Sequence, residues 1–173
     1  TLVEMGQKFT NKLWNASRFV LMNLEEAGAG EPDPSDFTLA DRWILSRLQS
    51  VITETGKGFT EFRFNDSARV LYSFIWGEYC DWYLEMIKPR LYDDNGGEER
   101  KAALSVTAHV LENILLLLHP VMPFITEEIY QALNNAEGKK SDSIMTAGYP
   151  ALEEAYLFPA AEKEMAVIQQ VIN

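Results

Sequence analysis

Residues 64–89 read FNDSARVLYSFIWGEYCDWYLEMIKP. Ala68, Leu71, Ile75, Tyr79, Trp82 and Met86 recur at steps of three or four, the spacing that lines up side chains on one face of an α-helix. Asn65 or Asp66 is placed to cap its start. Pro89 ends or kinks it, because proline lacks the N–H and clashes with the preceding turn. Tyr72, Phe74, Trp76, Tyr79, Trp82 and Tyr83 load this helix with aromatics, so it is expected to be the most buried element, its hydroxyl and indole N–H groups wetted.

The flanking sequence repeats the helical pattern. In residues 1–24, Leu2, Met5, Phe9, Leu13, Ala16 and Val20 form an apolar stripe. Lys8, Asn11, Lys12, Asn15, Arg18 and Met22 form a second stripe roughly 130° around the same helix. Residues 25–37 (EEAGAGEPDPSDF) are an acidic loop rich in Gly and Pro. Thr38 with Asp41 is an imperfect capping box, opening a second helix expected to reach Thr55 and stop at Gly56. After a turn at 93–97, a fourth helix runs from about Glu98 to Leu118. His119-Pro120 and Met122-Pro123 interrupt it, and a short fifth helix spans 124–133. From about residue 136 the chain becomes a loop-rich tail: 134–142 polar and mobile, 143–150 extended, and a last helix from Ala160. The expected fold is all-α, a bundle of four long helices plus a short fifth in a single domain, 1–173.

Composition narrows the function. Of 173 residues 47% are hydrophobic and 24% charged, the balance of a folded domain. The longest uninterrupted apolar run, Ile114 to Leu118, is far short of the ~20 residues of a membrane span. No membrane association is expected, and the chain reads as a cytoplasmic monomer. The single cysteine, Cys80, excludes a disulfide framework and suits core packing among its aromatic neighbours. Catalytic pairings would need Cys80 or a serine beside His109 or His119, and the sequence gives no such arrangement. His109-x-x-Glu112 reverses the Glu-x-x-His spacing of a di-iron bundle and has no second copy. The glycines lack the Lys-Ser/Thr of a phosphate loop. No catalytic residue, metal ligand or cofactor is assigned to the chain itself.

The remaining reading is binding. The net charge is −11, which opposes polyanions, yet residues 1–24 carry +2 and 37–50 carry +1, while the acid gathers in 25–36, 77–100 and 101–173. A nucleic-acid partner would have to dock on the N-terminal third. The stripe there joins cations and amides to a soft apolar residue, with Trp14 and Phe19 on its flanks, a set suited to phosphates, base edges and unpaired bases.

NKLWNASRFVLMNL (11–24) resembles the start of the anticodon-binding helical domain of class I valyl-tRNA synthetases. LADRWILSRL (39–48), FNDSARVLYSFIWGEYCDWYLEMIKPRLY (64–92) and HPVMPFITEEIY (119–130) agree in order and spacing. Ser143-Ile144-Met145 with Tyr149-Pro150 is similar to the family's closing segment, where a tryptophan more usually precedes the proline. The last long block alone marks only the valyl, isoleucyl and leucyl group. The family's catalytic signatures HIGH and KMSKS do not occur. The resemblance therefore implies a fragment of a valine–tRNA ligase without its catalytic domain or C-terminal coiled coil. It implies that the fragment holds the anticodon loop of valine tRNA while the parent uses ATP and magnesium to charge the 3′ end. Lys12, Asn15, Arg18 and Met22, joined by Arg42, Trp43 and Arg47 of the second helix, are the expected anticodon surface. Arg18 and Arg42 would meet phosphates or base edges, Asn15 a base, and Trp43 would stack. The alternatives are an isoleucyl- or leucyl-type domain, or a helical protein–protein interaction domain marked by a contiguous exposed apolar patch.

Overall fold

The computed structural model describes residues 2–27, 30–93, 97–139 and 142–172. No described residue lies in a β-strand. Helix α1 (Leu2–Ala27) buries Phe9, Leu13, Ala16 and Val20 as the stripe requires, and adds Leu24. Met5 of the same stripe is exposed, and the Leu2 side chain lies outside the described set.

Helix α2 (Leu39–Thr60) starts on the expected cap: Asp41 Oδ2 accepts from the Thr38 N–H at 2.9 Å, and Thr38 Oγ1 accepts from the Asp41 N–H. It does not stop at Gly56. It runs on to Thr60, because one interior glycine costs a helix only about 1 kcal/mol and packing outweighs that. Gly58 has a separate reason: a Cβ there would sit 2.1 Å from Ser67 Oγ, a buried hydroxyl bonded to the Thr55 carbonyl at 3.2 Å. The two glycines should respond oppositely to alanine. Gly56→Ala, with open space around it, should stabilise by ~0.5–1 kcal/mol, whereas Gly58→Ala should destabilise by ~1–3 kcal/mol through overpacking. Urea midpoints of the two variants test this, and shifts of the same sign would show that the Ser67 contact is not the cause.

Residues 64–91 form one continuous rod of three parts: α3 (Phe64–Ser73), a π-helical segment (Phe74–Tyr83) and α4 (Leu84–Leu91), with helical backbone angles at both junctions. The Asn65 or Asp66 cap does not form. Arg63 occupies the cap position without a side-chain bond, and its N–H bonds to the Gly58 carbonyl at 2.7 Å, so the helix starts at Phe64. Asp66 pairs with Arg63 and Arg69 instead. Leu71, Ile75, Tyr79, Tyr83, Ile87 and Leu91 are the fully buried line, at steps of four. A step of four overshoots the 3.6-residue α turn and drifts around the helix; the wider i→i+5 winding reverses that drift. Trp82 and Met86, expected on the buried stripe, are therefore half-buried, and Ala68 is exposed. The Tyr79 and Tyr83 hydroxyls are not wetted: they donate to the Thr107 carbonyl (3.2 Å) and to Asp41 Oδ1 (2.8 Å). Cys80 is buried, which pushes its thiol up to about 12.

The most buried element is α5 (Gly97–Leu118), not the aromatic rod, because α5 packs against α1, α2, α4 and α6 while the rod keeps one side in solvent. Among the described residues α5 is the one helix long and apolar enough to cross a membrane, and 78% of its apolar window is inside the protein. Its core position accounts for that apolarity. Counting uninterrupted runs overlooks it because Ser105, Thr107 and Asn113 punctuate the sequence. Each of these polar side chains donates to a carbonyl four residues back and is thereby satisfied.

Helix α6 (Pro123–Ala136) begins with proline at its first position, where the missing N–H costs nothing. Asn134 is buried within it rather than mobile. Residues 140 and 141 of the same stretch, and 94–96 of the expected 93–97 turn, lie outside the described residues. The segment expected to be extended holds a 3-10 turn at Ile144–Thr146, anchored by Ser143 Oγ and the Ile144 N–H, which donate to Glu127. Helix α7 (Pro159–Ile172) packs on α2 through Ala161 and Met165.

Candidate nucleic-acid interface

Amphipathicity of α1 decides the interface first: once one face enters the core, Lys8, Asn11, Asn15, Arg18 and Met22 are left outside. Arg18 is exposed and makes no ion pair among the described residues. Glu26, further along α1, is held by Arg100 at 2.8 Å. Lys8, Arg42 and Lys163 are the other cations without an ion pair among the described residues. The available positive charge thus lies mainly on α1 and at the start of α2, on a chain whose other cations are mostly neutralised by carboxylates.

Lys12 is more constrained. Its ammonium pairs with Asp81 and lies 4.1 Å from the centre of the Trp76 ring, a cation–π contact. Trp76 stacks on Tyr72 at 5.6 Å, and Tyr72 meets Phe9 at 5.3 Å, so an aromatic row joins α1 to the rod.

The second helix contributes less than its sequence suggests. Trp43 is 3% exposed and belongs to the core, so it cannot offer a face to a base. Arg47 is committed to the protein: it donates from Nε and Nη2 to the two oxygens of Glu78 at 2.7 and 3.1 Å, and lies 3.8 Å from Glu162. The hydrogen bond to Glu78 holds its guanidinium above the ordinary arginine range despite burial. Arg42 alone of the three is exposed. It lines a groove with Leu157, Phe158 and Glu164 on the side of α2 that faces α7.

The start of α2 lies at the same end of the bundle as Met22, but not beside it. Met22 lines a groove with Leu91 at the end of the rod and with Tyr92 just beyond it, and Arg90 on that rod bonds to Thr38, the cap of α2, and to Asp41 within it. The end of α4 thus stands between them. Lys12, Asn15, Arg18 and Met22 share one surface; Arg42 flanks it across one helix.

Elsewhere the surface discourages phosphate. A cleft of about 410 Å³ beside His109 is lined by Glu31, Glu112, Glu137 and Glu153, with Lys139 as its cation. Burial lowers the basicity of His109 and raises Glu112. Among the described residues no group of three or more His, Cys, Asp or Glu is placed to hold a metal ion.

Residues 41–173 match the family described as the anticodon-binding domain of tRNA ligase. Valine–tRNA ligases of Geobacter sulfurreducens (50% identical, 96% of this chain) and Synechocystis sp. (42%, 99%) are similar along nearly the whole chain, α1 included. The chain spans about a fifth of their length, 19% of each. A solved structure, the ternary complex of Agrobacterium radiobacter K84 agnB2 LeuRS-tRNA-LeuAMS, shares the fold with a TM-score of 0.62 at 19% identity, over 89% of this chain and 17% of that one. An all-helical bundle matched by the family over residues 41–173 has a plain assignment: this chain belongs to the anticodon-binding domain family of tRNA ligases.

Proposed function

We propose that this chain is the anticodon-binding part of a valine–tRNA ligase, and that it grips the anticodon loop of valine tRNA through α1. The rest of the longer polypeptide would use ATP and magnesium to join valine to the 3′ end, working as a cytoplasmic monomer. Identity of 42–50% to valine–tRNA ligases over 96–99% of the chain carries this reading. The exposed stripe of α1 supports it chemically. Arg18 and Lys8 supply charge, Asn15 a two-way hydrogen-bonding amide, and Met22 an adaptable apolar contact, the mixture that suits unstacked bases in a loop. Lys12, steadied by Asp81 and Trp76, would meet the RNA backbone, and Arg42 a flanking phosphate.

The test is a titration of the full-length ligase with valine tRNA, with and without the region equivalent to this chain. Deletion should weaken binding at least about tenfold, or ~1.4 kcal/mol, and abolish discrimination against tRNA with an altered anticodon. Unchanged affinity and discrimination would overturn the proposal.

A further inference from the structure

Trp76 and Asp81 stand five residues apart on the rod, within its π-helical segment. Five residues of α-helix turn about 140° beyond a full circle, which would point the two side chains away from each other. One turn of i→i+5 winding returns them to one face. Both therefore reach Lys12 of α1, whose ammonium pairs with Asp81 and lies 4.1 Å from the centre of the Trp76 ring. Windings of this kind gather at functional sites. Here the winding brings a carboxylate to a stripe whose other cations, Lys8 and Arg18, make no ion pair among the described residues.

The pair does little for folding. The Lys12 side chain is 26% and that of Asp81 48% exposed, and ion pairs open to water contribute little to stability. Its effect on a polyanion is larger. Phosphates gain affinity by being neutralised, and a cation cancelled by a neighbouring carboxylate neutralises none. Trp76 keeps the ammonium at the surface whether or not Asp81 holds it. We infer that Asp81 sets the strength of RNA binding: it cancels Lys12 toward the phosphates, so that affinity for any tRNA is held down and recognition depends on the base contacts of Arg18, Asn15 and Met22. The inference rests on the reading under Proposed function and adds Asp81 to the surface named there. Contacts to phosphate supply essentially all non-specific binding. A domain that must let go of wrong tRNAs, and of charged product, gains by making fewer of them.

Titrations of the full-length ligase with valine tRNA across a salt series test this. Asp81→Asn should tighten binding about three- to tenfold at about 50 mM salt, and that advantage should shrink roughly threefold by about 200 mM, one phosphate's worth of counterion release. A tRNA with an altered anticodon should gain by the same factor, because phosphate contacts carry no sequence information. Asp81→Asn combined with Lys12→Gln should return both affinity and salt dependence to wild-type values. The urea midpoint of Asp81→Asn should stay within the small range of a surface substitution. Weaker binding by Asp81→Asn would overturn the inference, since the carboxylate would then be aiming Lys12 at the RNA. So would an unchanged salt dependence, a gain confined to valine tRNA, or a gain that survives Lys12→Gln. Arg18→Ala keeps the two readings apart. If it weakens binding while Asp81→Asn changes nothing, the role of Asp81 alone falls; if neither variant changes binding, recognition through α1 falls with it.

Discussion

Replacing Asp41 with alanine should cost about 3–5 kcal/mol of folding free energy, the penalty for leaving one partner of a buried ion pair alone. The Asp41 carboxylate is fully buried and accepts at both oxygens. Oδ1 takes the Tyr83 hydroxyl at 2.8 Å; Oδ2 takes the Thr38 N–H, the Thr38 hydroxyl and Arg90 Nη1 at 2.8–2.9 Å. Tyr83 stays a donor, because burial, and then the charge of Asp41, push its ionisation well above the ordinary phenol range. Alanine would uncap α2, orphan the phenol and strand the Arg90 guanidinium, whose side chain is only 14% exposed. Against a typical total of about 5–15 kcal/mol this is roughly a fifth or more of the stability. Urea unfolding measures it as a lower midpoint at unchanged slope. Asp41→Ala combined with Arg90→Met should recover part of the loss, since the stranded charge is gone. A loss below about 1 kcal/mol for the single variant would mean that water replaces the carboxylate at no great cost.

The second large effect is functional and falls on Arg18. In the full-length ligase Arg18→Ala should reduce kcat/KM for tRNA charging by about 1–3 kcal/mol, roughly 5- to 150-fold, if the guanidinium reads a base edge. Valine activation, followed by pyrophosphate exchange, should be unchanged. Because Arg18 is exposed and has no ion pair among the described residues, its removal should move stability by no more than about 0.5 kcal/mol. That separates a recognition role from a structural one. A variant that no longer distinguishes wild-type from anticodon-altered tRNA would assign discrimination to Arg18. Unaltered charging and unaltered anticodon preference would remove it from the interface. Arg47 makes a useful contrast: tied to Glu78, its loss should register in unfolding before it registers in recognition.

Local rules carried far along this chain. The stripe of Phe9, Leu13, Ala16 and Val20 required α1 and its outward face, and Thr38 with Asp41 required the start of α2. The paired breakers His119-Pro120 and Met122-Pro123 required the gap between α5 and α6. The π-helical winding left a trace in the sequence, the four-residue spacing from Leu71 to Leu91, but a three-or-four template reads through it and assigns Trp82 and Met86 to the core line.

By itself, then, the amino-acid sequence determined the helices, the class of fold and the exposed stripe on α1, because each follows from interactions spanning a few residues. Tertiary structure decided the rest. It carried α2 through Gly56 and packed Gly58 on Ser67; it made α5 the core helix; and it buried Trp43 and tied Arg47 to Glu78. The reason is range: Arg47 meets Glu78 31 positions away and Lys12 meets Asp81 69 positions away. No periodicity within one helix records which cations find a carboxylate on another and which, like Arg18, remain unpaired.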